Sequence, residues 1–275
     1  MDSGHRSLSQ TAKQRYEAEG PNCALLPMVI GCLGDFTAAV SAFQSADAPF
    51  WFRGHGDFRW GLSPSALRLR KRSGRDRALE LAYEFKRRAA SGLEYLPADD
   101  NLLEWCQIAQ HYGIPTRMLD WTETASVALY FACQHAATDG AVFILEPRDL
   151  NKQLSPSEFR ILDYDHDKTR IDSYMALDGE RVEGRSGKPT IAILPSWHSP
   201  RIERQRGTFT IHGSKNFTLT SDQAPSLMYV PVPRQAKRAL LRELERTAGV
   251  DEMSNFPEPE HIAAQIVRRA RLTSL

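Results

Sequence analysis

The stretch QHYGIPTRMLDWT, Gln110 to Thr122, sets His, Tyr, Arg, Asp and Trp around a Gly-Ile-Pro turn and runs into the apolar segment ASVALYFAC, Ala125 to Cys133. Gly113 and Pro115 punctuate the chain there. Polar groups this dense beside an apolar run serve either as a buried hydrogen-bond network or as the wall of a binding site. Asp120, with Glu123 three residues on, has the form of a capping box, which predicts a helix from about Trp121 to Ala137. That helix would be apolar nearly all round, and so buried.

On the N-terminal side, Leu102 to Tyr112 carries Leu103, Cys106, Ile108 and Ala109 at helical spacing, as Leu79 to Leu93 does with Leu79, Ala82, Phe85 and Ala89. Earlier still, ALLPMVI (24–30) reads as a short strand or extended entry. Asp35 reads as the cap of a helix through about Gln44, with Phe36, Ala39, Val40 and Phe43 on one face. PFWFRG is aromatic and strand-like, and it ends in a turn signal at Gly54-His55-Gly56-Asp57.

Beyond the apolar run, GAVFILEP (140–147) reads as a fully buried strand. Residues 148–188 begin helix-like and turn polar, ending in GRSGKP, which reads as a surface excursion. TIAILPS (190–196), GTFTIHG (207–213) and LMYVPVP (227–233) are strand patterns, and amphipathic helices are expected over Gln235–Thr247 and Glu260–Arg271. The order implies a single mixed α+β domain, not a regular βαβ alternation. Its central sheet should be largely antiparallel, continuous or split, and flanked by helices.

The bulk composition excludes some functions. With 41% apolar and 25% charged residues in 275, the chain can bury a sizeable core. A net charge of +1 draws it neither to nucleic acid nor to anionic lipid. The dense basic run RLRKRSGRDR (68–77) reads as a solvated loop before a polyanion contact. Cys23, Cys32, Cys106 and Cys133 form no CxxC pair and fit reduced thiols of a cytoplasmic protein. The first fifteen residues lack the apolar core of a signal peptide. The run from Ala24 to Leu33 contains Pro27 and Gly31 and falls short of the ~20 apolar residues a bilayer needs.

No Walker loop, dinucleotide GxGxxG, GxSxG elbow or HExxH is present. His111, His198 and His212 have interesting neighbours but no partner at ligand spacing, so no residue is assigned to a metal. Three clusters join Arg to a tight turn: Trp51-Phe52-Arg53-Gly54, Arg117 with Asp120-Trp121-Thr122, and Arg201 to Gly207 ahead of TFTIHG. Arg offers a rigid fork of donors suited to phosphate or carboxylate. The bland alternative is a buried Arg117–Asp120 pair and an exposed Arg-rich turn.

The ordered set WFRGHGD, LSPSALR, LEWCQIAQHYGIPTRMLDWT, ASVALYFAC, RIERQRGTFTIHG and NFPEPEHIA resembles the FRG domain family, named for its Phe/Tyr-Arg-Gly motif. The resemblance runs from about Thr37 to Arg269, with Met118 where Leu is usual. It implies an FRG domain over residues 35–275 with residues 1–34 as an N-terminal extension. That family is widespread in bacteria and phages and brings no firm molecular activity with it.

A looser likeness is to the ADP-ribosyltransferase fold. It implies NAD as substrate, with Arg53 as the first-motif Arg, Thr122 with Thr124 as the middle segment, and Glu203 or Gln205 as the last motif. Gln205 stands where the usual pair carries Glu: it can accept a ribose hydrogen bond but brings no negative charge. On this mapping Arg53, Glu203 and Gln205 are the catalytic candidates. Arg53, Gly54, His111, Tyr112, Arg117, Asp120 and Thr122 are the ligand-binding ones, Gly54 by allowing close approach and Tyr112 or Trp121 by stacking. Strand alternation would put 203 and 205 on one face.

The expected function is an NAD-using ADP-ribosyltransferase-like enzyme, a toxin or phage-defence effector acting on a nucleic-acid or protein target. A protein partner or antitoxin would accompany it, and no membrane would be involved. The alternative is a nucleotide-sensing or protein-interaction module without turnover. Nucleic-acid processing, resting on the 68–77 run, is the weakest reading.

Overall fold

The computed structural model describes residues 7–42, 48–69, 72–155, 157–175, 187–197, 199–213 and 218–272, the side chains of 72–79, 269, 271 and 272 excepted. The chain opens with α1 (Gln10–Glu19), β1 (Ala24–Leu25), α2 (Leu33–Ser41) and β2 (Trp51–His55). It continues through α3 (Arg72–Ala89), α4 (Leu102–His111), β3 (Met118–Thr122), α5 (Ala125–Cys133), β4 (Gly140–Leu145), α6 (Pro147–Asn151) and α7 (Tyr164–Met175). It closes with β5 (Ile191–Ile193), α8 (Pro200–Gln205), β6 (Gly207–Ile211), β7 (Met228–Val232), α9 (Arg234–Glu243), α10 (Glu252–Asn255) and α11 (Pro259–Leu272).

Seven strands form one continuous sheet in the order β1-β7-β4-β2-β3-β6-β5, antiparallel throughout except for β1 on β7. The α+β expectation therefore holds. β4 is buried along its whole length, since β2 and β7 flank it and helices cover its faces.

Side chains alternate across the sheet and sort its packing. On one face Phe52, Val142, Ile144, Val230 and Val232 meet α2, α5 and α9, while Met118, Ile191, Ile193, Phe209 and Ile211 meet α4 and α7. On the other face Trp51, Phe143, Leu145, Leu119, Trp121 and Tyr229 meet Tyr16 of α1, Phe58 and Leu150. Each such large side chain removed from water contributes roughly 1.5–3 kcal/mol. β1 pairs with β7 and Tyr16 lies in the core, so these parts of the segment before residue 35 belong to the packed body.

Two helix assignments are corrected. The capping-box reading of Asp120 fails because Met118 to Thr122 is a strand, paired residue for residue with Ile211 to Gly207 of β6. The helix that follows begins at Ala125 and ends at Cys133, shorter than expected at both ends. Its burial is as expected. Residues 200–205 are helical and not strand-like: Ser199 caps the helix by accepting from the Ile202 N–H, and Pro200 occupies its first turn.

Smaller departures have local causes. Asp35 sits in the first turn of α2, not at its cap, and reaches back to accept from the Gly31 and Cys32 N–H groups. Phe36, Ala39 and Val40 are buried as predicted, while Phe43 lies outside the described residues. The backbone from Arg72 onward is already helical, so the basic run is not a loop there. The excursion at 148–188 contains α6 and α7, whose Ile171, Tyr174 and Met175 join the core. Among the described residues no helix is long and apolar enough to cross a membrane.

α5 packs so closely on β2 that a Cβ on Gly54 would lie 1.9 Å from the Ala128 carbonyl oxygen. A Cβ on Gly207 would meet Ile202 only at ordinary contact distance, 3.5 Å. Gly54→Ala is therefore expected to cost about 3 kcal/mol or more in urea unfolding. Gly207→Ala should stay within about 1 kcal/mol of wild type, because nothing must move to admit its methyl. Equal stability of the two variants would refute this packing account.

Candidate functional site

β2 and β3 share a single register pair, Phe52 opposite Thr122. Past it, the Arg53 side chain joins the strands: its Nη1 donates to the Asp120 carbonyl at 2.6 Å and lies 3.8 Å from the Asp120 carboxylate. Arg53 Nε donates to His55 Nε2 at 2.9 Å. That bond leaves the proton of the His55 ring on Nδ1, which donates to the Trp60 carbonyl at 3.1 Å. Burial, and then the Arg53 charge, push the His55 imidazolium down to about 3, so the ring is neutral at pH 7. Burial also lowers the Arg53 guanidinium while Asp120 pulls it back up, and the group stays cationic.

A cleft of about 260 Å³ opens over this junction. Its floor is the row Phe52–Thr122–Gly207 with the neighbouring pair Asp120–Phe209. One wall is α4, where Gln107, Gln110 and His111 fall at i, i+3 and i+4 and form a single polar stripe. The opposite wall is α5, through Val127 and Phe131. α8 closes the end with Arg201, Ile202 and Gln205, beside Trp197.

The GIP turn aims this wall. Gly113 takes φ +85°, closing α4 as the Ile114 N–H donates back to the Ala109 carbonyl at 2.9 Å. Pro115 then leads into β3. Gln110 ties α4 to β3: its Nε2 donates to Asp120 Oδ1 at 2.6 Å, and its Oε1 accepts from the Thr116 hydroxyl. Burial, then the nearby Arg201 charge, lower the His111 imidazolium, whose ring meets Trp197 edge-on at 5.4 Å.

Of the predicted site residues, Arg53, Gly54, His111, Asp120, Thr122 and Gln205 come together in the cleft. Three do not. Glu203 is exposed on α8, because a helix turns residues two apart to different sides and the expected shared face does not exist. Arg117 is buried away from the cleft, its Nη1 donating to the His212 carbonyl at 3.4 Å, so the Arg117–Asp120 pair does not form. Tyr112 is 60% exposed and lies against Phe85. Trp121 lines the cleft, but its ring is core and donates to Thr210 Oγ1 at 3.1 Å.

Roles shift as well. The Thr122 hydroxyl donates to the Gln205 carbonyl and accepts from the Thr124 N–H at 2.9 Å, so it positions α8 and α5. Gly54 leaves the room that α5 needs, since a Cβ there would meet the Ala128 carbonyl. Gln205 Nε2 donates to the Asn255 carbonyl at 2.8 Å, and its Oε1 accepts from no group among the described residues. Sequence reasoning missed His55, Gln107, Gln110 and Trp197, while Arg201 belongs to the third of its Arg clusters; the stripe in CQIAQH was the available signal for two of those missed. His198 lies outside the described residues. Among the described residues no group of three or more His, Cys, Asp or Glu stands ready to hold a metal ion.

The family model for the FRG domain matches residues 48–140. The chain carries an FRG domain. No curated protein and no solved structure matches it. The matched residues hold β2, α4, β3 and α5, hence the floor junction and both side walls of the cleft. Trp197 and α8, which close the end, come from outside that match.

His55 ties pH to stability with a definite sign. Between about 6.5 and about 3 the unfolded chain binds a proton at this residue that the folded chain refuses, so stability falls as pH drops through that window. The expected contribution approaches about 1.4 kcal/mol per pH unit. Urea unfolding at several pH values should show a shallower acid slope for His55→Gln than for wild type. Identical slopes would show that His55 is not held neutral.

Proposed function

We propose that the cleft binds a dinucleotide of the NAD class and that the chain transfers its ADP-ribose to a nucleic-acid or protein acceptor, as a toxin or phage-defence effector would. The observation that carries this reading is the convergence of Arg53, Asp120 and Gln205, from three separate elements, on one cleft. In transfer, the C–N bond to nicotinamide breaks with its electron pair going to the pyridinium nitrogen. An acceptor oxygen or nitrogen then bonds to the ribose carbon and gives up its proton.

The roles follow from chemistry. Arg53 has its Nε and one Nη1 hydrogen engaged, which leaves its remaining donors for a phosphate. The free Oε1 of Gln205 accepts a ribose hydroxyl. The oxocarbenium-like centre calls for negative charge, which Gln205 lacks and Glu203 is too far round the helix to give. Asp120 is the carboxylate within the cleft, held by Gln110 and Arg53. At about 260 Å³ the cleft takes one half of a dinucleotide.

A second reading, binding without turnover, is favoured by one specific observation: the last-motif position in the cleft is the uncharged Gln205. Calorimetry with NAD and ADP-ribose, run beside label transfer from labelled NAD to cell lysate, separates the two. Wild type is expected to bind. Arg53→Ala should bind at least about tenfold more weakly, or about 1.4 kcal/mol. Asp120→Asn should bind as wild type does but transfer no label. Binding with no transfer by wild type leaves the sensor reading, and failure to bind either compound sinks both.

A further inference from the structure

Gln107 is 2% exposed and lines the cleft. Its Oε1 accepts from the Trp197 N–H at 2.8 Å, which fixes the amide and decides which end faces away from that bond. Its Nε2 has no hydrogen-bond partner among the described residues. Gln110, one turn further along the same stripe, has both ends of its amide tied, Nε2 to Asp120 and Oε1 to Thr116. The α4 wall thus holds one amide anchored at both ends and one whose nitrogen end is unanchored among the described residues. A buried donor left unpaired costs about 1–3 kcal/mol, which an acceptor atom brought by a ligand would recover.

The surroundings define that acceptor. Trp197, Phe131, Phe209 and Ile202 give the cleft large apolar surfaces, suited to a flat ring. The donor is a neutral amide, so its natural partner is a neutral acceptor, an oxygen carried on the ring or a ring nitrogen. We infer that Gln107 is a specificity-determining residue that donates to the exocyclic carbonyl oxygen of a planar heterocycle seated beside Trp197. This rests on the NAD-class reading and deepens it. Of the two rings of such a dinucleotide, nicotinamide carries a carboxamide oxygen and adenine carries no carbonyl. Adenine's ring nitrogens also accept from an amide, and the choice falls to nicotinamide because Asp120 and Gln205, which serve the bond to be broken, line the same cleft.

Calorimetry with NAD, ADP-ribose and the thionicotinamide analogue of NAD tests this. The analogue replaces the carboxamide oxygen by sulfur, a weak acceptor. Wild type should prefer NAD to the analogue by about tenfold. Gln107→Glu keeps an oxygen that accepts from Trp197 and puts a carboxylate oxygen, with its charge, where the unused donors were; the uncharged Gln107→Leu removes both functions. Each variant should lose NAD affinity by about tenfold while holding ADP-ribose within about twofold of wild type. Equal wild-type affinity for NAD and the analogue overturns the inference and leaves the NAD-class reading standing, whether or not the variants fold. So does a variant that weakens NAD and ADP-ribose alike. A wild type that binds none of the three compounds overturns both.

Discussion

Arg53 stands in for a backbone ladder between β2 and β3. The two strands share one register pair, so the sheet would open there without the guanidinium that reaches from β2 to the Asp120 carbonyl. The same side chain is held at its Nε by a neutral His55, itself fixed by the Trp60 carbonyl. A cation in this place is costly to bury. The carbonyl, the nearby carboxylate and the neutral imidazole meet that cost, and the opening that results is the cleft.

The walls depend on this junction. Asp120 offers its carbonyl to Arg53 and its carboxylate to Gln110, so one residue sets both the spacing of the strands and the distance of α4 from them. Thr122 does the corresponding work at the other end, giving its proton to the Gln205 carbonyl and accepting from the start of α5. The polar residues of QHYGIPTRMLDWT are therefore both structural network and cleft wall. Arg117 and Trp121 are the exceptions that serve the core or its edge.

Much of the fold was legible because it follows from local periodicity. α4, the burial of β4 and of α5, and the strand at Trp51 each declare themselves within ten residues. The errors have two origins. Asp120 and Glu123 satisfy a helix cap locally, yet residues 118–122 gain a full strand pairing with β6, some ninety residues away, which no local rule registers. At α8 the signal was present, in Ser199 as cap and Pro200 behind it, but the basic run that follows drew the reading towards a turn and strand.

The sequence by itself determined the fold class, the FRG domain and the residue types available for a site, since these rest on composition, spacing and short-range turn chemistry. Only the tertiary structure decided which of those residues meet. Arg53, Asp120 and Gln205 lie far apart in the chain and converge, while Glu203, two residues from Gln205, faces elsewhere. The physical reason is that a cleft is made by strand register and helix phase. A change from strand to helix across six residues is enough to turn a carboxylate out of the site and leave an amide in it.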